Sequence, residues 1–201
     1  MIKAIIFDLN GVFIQSPPLS ERFKKDFGVS PKEFLPALKD VMTNVRLPGA
    51  GRLYTYWKPC LDSWGVGLSG EELCDYWFGA EKEVPEMTAL ARELKAVGIR
   101  VFILSNNFRE RSEHYGRTFA FLSEVPDAVY YSWRTGFVKP DERAYRFVLS
   151  ENGLKPEECI YFDDSEINVG TASSLGIRSF VFFGAEETRQ LLLDVKLPSV
   201  F

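Results

Sequence analysis

Three short apolar runs in this chain end in residues that can do chemistry. Ala4 to Phe7 delivers Asp8, followed by Leu9, Asn10 and Gly11. Ile99 to Leu104 delivers Ser105, Asn106 and Asn107, and Cys159 to Phe162 delivers Asp163, Asp164 and Ser165. Asp8 alone would read as a helix N-cap or a turn former. The repetition of the pattern changes that reading, because polar termini of parallel strands fall on one edge of a sheet, where α/β folds collect ligands. Clustered carboxylates repel, so Asp8, Asp163 and Asp164 on one lip call for a cation. Oxygen donors without His or Cys indicate Mg²⁺ rather than zinc or copper. A carboxylate held on Mg²⁺ beside hydroxyl, amide and ammonium donors suits a phosphoryl group. Lys139 supplies an ammonium, and Ser105 with the Asn106 backbone N–H the remaining donors. An Asp so placed can attack phosphorus itself and form an aspartyl-phosphate that water later hydrolyses.

The elements that must position these residues follow from the pattern. Ala4–Phe7 is too short for a helix and unbroken, as in a strand buried on both faces of a parallel sheet. Gly11 lets the backbone turn sharply after it. Ser16, Pro17 and Pro18 close this first unit, and from there to about Pro85 the pattern is helical with no strand. Ser20 can cap a helix ended by Gly28. Ser30-Pro31-Lys32-Glu33 and Ser69-Gly70-Glu71-Glu72 have capping-box spacing, and Leu53 to Trp64 is a further candidate. Pro36 and Pro59 are awkward inside their helices. The aromatics Tyr54, Trp57, Trp64 and Trp77 read mostly as fillers between helices, with one or two available to wall a cleft.

After Pro85 helix and strand alternate, the signature of a parallel sheet with crossover helices. Helices are expected over residues 86–97 and 108–121, a strand over 128–132, a loop over 133–138, and a helix opened by Lys139-Pro140-Asp141-Glu142. The Cys159 strand, a helix ending near Gly176, a strand over 178–183 and a last helix complete five strands. The expected architecture is a Rossmann-like α/β core from residues 1–15 and 86–201, with residues 16–85 as an all-helical insert over the strand ends.

Composition narrows the function classes. The 201 residues carry a formal net charge of −4 with a pI near 5.2, against a sequence-independent nucleic-acid binder. No apolar stretch approaches membrane-spanning length, and the chain opens on a strand rather than a signal peptide. Cys60, Cys74 and Cys159 are odd in number and lack CxxC spacing, so they read as thiols in a reducing cytoplasm. His114, in a polar helical stretch, and Trp133, near Lys139, read as local packing residues.

On these residues the chain resembles the haloacid dehalogenase-like hydrolases, in the subgroup with a helical cap after the first strand. Asp8-Leu9-Asn10-Gly11-Val12 is similar to the family's first motif, Leu104-Ser105-Asn106 to its second, Lys139-Pro140 to its third, and Phe162 through Asn168 to its fourth. The resemblance implies that Asp8 is nucleophile and Mg²⁺ ligand, and that Asp164 is a second ligand with Asp163 ligating or supporting it. It implies that Ser105 and Asn106 hold the phosphoryl group, that Lys139 neutralises it, and that Asn10 gives the metal its main-chain carbonyl. The implied substrate is a small phosphorylated metabolite, and the implied assembly a monomer or homodimer.

Asn10 departs from the pattern. The family's phosphatases usually carry Asp there, to protonate the leaving oxygen and then activate water. A carboxamide does neither, and such help is worth roughly 10²–10⁴-fold. Three explanations stay open: a substrate whose leaving group needs little protonation, a non-catalytic relative that binds a phosphorylated ligand, or an introduced Asn that slows turnover. The family's dehalogenases, whose halide leaves without a proton, are the rival enzyme reading. The Asp163-Asp164 pair, of a type that binds metal, argues against them.

Overall fold

The computed structural model describes residues 1–195 and 197. The chain opens with β1 (Ala4–Phe7) and, after a tight turn, β2 (Ile14–Gln15). Four helices follow: α1 (Leu19–Phe27), α2 (Pro31–Val45), α3 (Leu53–Ser63) and α4 (Gly70–Phe78). The short β3 (Lys82–Glu83) leads to α5 (Pro85–Ala96) and β4 (Arg100–Ser105). Next come α6 (Arg109–Thr118), α7 (Phe121–Glu124), β5 (Ala128–Tyr131), α8 (Ser132–Thr135) and α9 (Glu142–Glu151). The last elements are β6 (Cys159–Asp163), α10 (Glu166–Ser174), β7 (Arg178–Val181) and α11 (Ala185–Asp194).

Five strands form one parallel sheet in the order β5-β4-β1-β6-β7. β1 is central, paired with β4 on one side and β6 on the other, so Phe7 stands level with Ile103 and Phe162. The chain builds outward on one side of β1 and then on the other. The C-terminal end of β1 is therefore the point where connections diverge and side chains from three strands meet.

The unbroken apolar run of β1 is explained by helices on both faces. Ile5 and Phe7 belong to a cluster with Met87, Leu90, Leu94 and Tyr115, whereas Ala4 and Ile6 join Tyr145, Val148 and Ala172 on the other side. A separate cluster holds the insert together. There Trp57 is fully buried, with ring centroids 5.2 Å from Phe34 and 6.2 Å from Phe23. Tyr54, Trp64 and Trp77 pack in the same cluster. Phe108 crosses from the core side into it, 5.6 Å from Trp77.

The insert is helical except for β3, whose Lys82 and Glu83 pair antiparallel with Gln15 and Ile14. A two-residue strand gives no periodicity to detect. α2 begins at Pro31, where the Glu33 carboxylate accepts the Ser30 backbone N–H at 3.2 Å, so Pro36 neither delays nor breaks it. The Pro36 side is exposed, and water can take the carbonyl that loses its donor. The expected helix over 108–121 divides into α6 and α7. The expected loop over 133–138 begins as a single helical turn, α8, closed by Gly136.

Candidate active site

The turn after β1 is built from its own backbone. The Leu9 carbonyl accepts N–H groups from Phe13 (2.9 Å) and Ile14 (3.0 Å), and Gly11 N–H donates to the Ile14 carbonyl (2.8 Å). Gly11 sits at φ +89, and a Cβ there would collide with the Asp164 carboxylate, 2.9 Å from its Cγ. The glycine thus admits both a left-handed backbone and the close approach of the β6 lip.

Lys139 is buried and bridges two strand ends. Its Nζ lies 2.9 Å from Asp8 Oδ1 and 2.6 Å from Asp163 Oδ2. Its backbone is clamped by Asn106, whose Nδ2 donates to the Lys139 carbonyl (2.7 Å) and whose Oδ1 accepts the Lys139 N–H (2.8 Å). The Asn106 side chain is therefore occupied in aiming the lysine. That role is separate from the phosphoryl contact expected of the Asn106 backbone.

Asp163 is fully buried. Besides Lys139 it accepts the Tyr161 hydroxyl, the Ser165 N–H (2.8 Å) and Asn168 Nδ2 (3.0 Å to each oxygen). Burial alone would raise its carboxyl, but Lys139 and these hydrogen bonds hold it below the ordinary value. Asp164, the next residue, lies just beyond β6 and is exposed. Burial of its inner part and the charge of Asp163 push it up. Burial raises Asp8 to about 6 against the pull of Lys139, and Asp163 adds to the rise.

Asp8, Asp163 and Asp164 can each offer a carboxylate oxygen within 4.8 Å of the others. With Asp163 engaged by four donor groups, the oxygens open to a cation are those of Asp8 and Asp164. The Asn10 main-chain carbonyl accepts no hydrogen bond among the described residues and could add a further oxygen. This all-oxygen set could hold a hard divalent cation such as Mg²⁺, and its mutual repulsion gives the cation something to relieve.

A cavity of about 190 Å³ opens beside this set, lined by Asp8, Asn10, Arg46, Ser105, Asn106, Arg111, Lys139 and Asn168. Three of its polar atoms are buried without a hydrogen-bond partner: Ser105 Oγ, Asn10 Oδ1 and Arg46 Nε. Buried polar atoms are normally paired, so three orphans converging on one cavity mark a place for a ligand. Asn10 Nδ2 donates to the Tyr115 hydroxyl at 2.6 Å.

Arg46, Arg111, Glu81 and Tyr115 carried no signal in the sequence. Arg111 is buried against Glu81, with Ser16 Oγ 3.2 Å from its Nη2. Burial opposes its charge, but Tyr115 and Glu81 hold it above its ordinary value. His114 lies away from the cavity, 3.3 Å from Thr118 Oγ1, and the Trp133 indole donates to Ser112 Oγ at 2.9 Å. None of Tyr54, Trp57, Trp64 and Trp77 lines the cavity, so all four act as packing.

Comparison with known proteins gives the same fold and more. Over 95% of its length the chain superposes on a haloacid dehalogenase family enzyme, bt-2542, of Bacteroides thetaiotaomicron, with TM-score 0.82, 22% identity and 98% of that chain covered. It is 30% identical over 105 residues to phosphatase MT3486 of Mycobacterium tuberculosis, covering 52% of this chain and 48% of that protein. It is 35% identical over 99 residues to mouse acyl-CoA dehydrogenase family member 10, covering 49% of this chain and 9% of that protein. The matched stretches thus span about half or less of these two relatives. The family model for haloacid dehalogenase-like hydrolases matches residues 2–176, most of the chain and all of the site. The chain belongs to the haloacid dehalogenase-like hydrolases.

Proposed function

We propose that the protein hydrolyses phosphate monoesters with Mg²⁺, through an aspartyl-phosphate on Asp8. The observation that carries this reading is the meeting of an ion-paired Asp8, a buried Lys139 and the partnerless Ser105 hydroxyl around one small cavity. An Asp8 oxygen attacks phosphorus, and the leaving oxygen departs with the electrons of the broken P–O bond. Lys139 holds Asp8 as a carboxylate and, through Asp163, keeps its own position. Ser105 donates to a phosphoryl oxygen. Asp8, Asp164 and the Asn10 carbonyl would hold Mg²⁺, which would supply neutralising charge for the phosphoryl group. Water then hydrolyses the aspartyl-phosphate. Two relatives support the reading: the Mycobacterium protein is named a phosphatase, and the Bacteroides enzyme was solved with magnesium and inorganic phosphate.

In this reading residues 1–15 and 86–201, of which 196 and 198–201 lie outside the described residues, form the catalytic core, and residues 16–85 a cap over the strand ends. The free Cys60, Cys74 and Cys159 suit a reducing cytoplasm. Among the described residues no helix is long and apolar enough to cross a membrane.

A second reading rests on Asn10, whose amide is turned to Tyr115 and has no proton to give a leaving alkoxide. In that reading the site binds a phosphorylated ligand without turning it over. Phosphatase assays on a panel of metabolite phosphates, with and without Mg²⁺, separate the two when run beside a halide-release assay. Mg²⁺-dependent phosphate release that is lost in Asp8→Asn supports the enzyme. Mg²⁺-dependent ligand binding without release supports the binder, and halide release without metal overturns both.

A further inference from the structure

The phosphoryl group's requirements are met from the core side of the cavity, by Ser105, Lys139 and the carboxylate set. Arg46 enters from the insert, at the C-terminal end of α2, and none of those requirements calls for it. Its Nε is buried with no partner, and among the described residues no carboxylate forms an ion pair with it. The nearby Arg111 has Glu81 as counter-ion, whereas Arg46 has only the attraction of Asp8 across the cavity. Burial and the charge of Arg111 both work against its guanidinium. A half-buried cation beside another cation, with no anion of its own, is an arrangement that an arriving anion relieves.

The direction of the reaction says which anion. In displacement at phosphorus the leaving oxygen stands opposite the attacking one. Asp8 attacks from the sheet lip, so the leaving group points away from the sheet, toward the insert wall that carries Arg46. A guanidinium fork matches a carboxylate or a phosphate in a bidentate pair. The cavity, about 190 Å³, is small beside ordinary small-molecule sites, so the spacer between two anionic groups in it is short.

Building on the phosphate-ester reading, we propose that the substrate carries a second anionic group, a carboxylate or a second phosphate, a few atoms from the scissile phosphoryl group, and that Arg46 recognises it. Arg46 is thus a specificity-determining residue, contributed by the insert.

The test is calorimetric binding of non-hydrolysable phosphonates at saturating Mg²⁺. Propylphosphonate carries no second charge, phosphonopropionate adds a carboxylate, and ethylenebisphosphonate adds a second phosphonate. At least one doubly anionic compound should bind the wild-type protein roughly 10–100-fold tighter than propylphosphonate, the range of a charge-assisted pair. Which one does so identifies the second group. In Arg46→Gln that preference should vanish while propylphosphonate affinity stays put, and Arg46→Lys should recover only part of it. Equal binding of all three to the wild-type protein overturns the inference and leaves the phosphate reading standing. Equal weakening of all three in Arg46→Gln also overturns it, since the arginine then holds the phosphoryl group. If no phosphonate binds, the phosphate reading fails and the inference with it. Should Arg46→Gln not fold, Arg46→Lys decides, and an undiminished preference in that variant overturns the assignment to Arg46.

Discussion

Replacing Asn10 with Asp tests the chemistry of the site most directly. Asn10 Nδ2 now donates to the Tyr115 hydroxyl at 2.6 Å, and its Oδ1 faces the cavity without a partner. An Asp in the same rotamer puts an oxygen in each position. The Tyr115 hydroxyl accepts the Asn10 amide, so a protonated carboxyl at position 10 can donate to it in the same way. Burial and Asp163 lift Asp8 to about 6, and burial at position 10 should push a carboxyl there up in the same sense. A general acid there is worth about 10²–10⁴-fold, roughly 3–5 kcal/mol of barrier. Turning the proton from Tyr115 to the leaving oxygen gives up one hydrogen bond, about 1 kcal/mol or roughly fivefold. We therefore expect kcat/KM for alkyl phosphates to rise about 20- to 2,000-fold, with the gain fading as pH rises and the new carboxyl ionises. Aryl phosphates expel a weak base and should gain less in the first step. Any gain common to both classes reports faster hydrolysis of the aspartyl-phosphate. Steady-state kinetics on matched alkyl and aryl esters read the difference. Should alkyl turnover stay unchanged in Asn10→Asp while Asp8→Asn lowers it, the acid comes from elsewhere and the reasoning fails.

Three further outcomes are expected. Gly11→Ala forces a side chain into φ +89, about 1–2 kcal/mol of strain, and pushes the Asp164 carboxylate aside. Mg²⁺ affinity by calorimetry should fall at least about tenfold, and an unchanged affinity would remove Asp164 from the ligand set. Mg²⁺ needs Asp8 ionised, and the metal-free carboxyl titrates at about 6, so binding there should release about half a proton from Asp8, with Asp164 adding in the same sense. Release should vanish by pH 8, and affinity should fall as pH drops below 6; calorimetry in buffers of different ionisation enthalpy measures both, and release independent of pH refutes the assignment. Trp57→Ala empties the centre of the insert cluster and should cost about 3–5 kcal/mol of stability. Denaturant titration followed by circular dichroism checks this, and a loss below 1 kcal/mol would mean the cluster collapses around the gap.

The sheet was legible because its strands are bounded apolar runs, and the lip because each run ends in a polar residue. Asp8, Ser105, Lys139 and Asp163-Asp164 could all be named from local pattern, since each sits at a strand end or beside a proline-marked turn. What local pattern could not supply was partnership across the fold. Arg46 and Arg111 look like ordinary surface arginines at a helix end and in a polar helix, and only the folded arrangement brings them to one cavity with Asp8. Asp163 ends β6 and is buried, whereas Asp164 follows the strand and is exposed, a difference that two adjacent identical residues conceal. The Asn106 clamp on Lys139 joins residues far apart in sequence. The pairing of β2 with β3 has the same origin, because neither segment is long enough to show a period.

That small ribbon bears on how the molecule can be taken apart. The chain leaves the core at Gln15 and returns at Lys82, and these two residues are partners across β2 and β3. A tight hairpin turn could join them directly. Such a splice removes no strand of the five-stranded sheet and leaves Asp8, Ser105, Lys139 and Asp163 on the elements that hold them. It uncovers Phe108 and strips Arg111 of Glu81, so those two positions would need matching replacements. With that done, residues 16–81 become an exchangeable cassette. One hairpin is then the seam at which a foreign insert could be grafted, trading the wall that carries Arg46 while the residues at the strand ends stay in register.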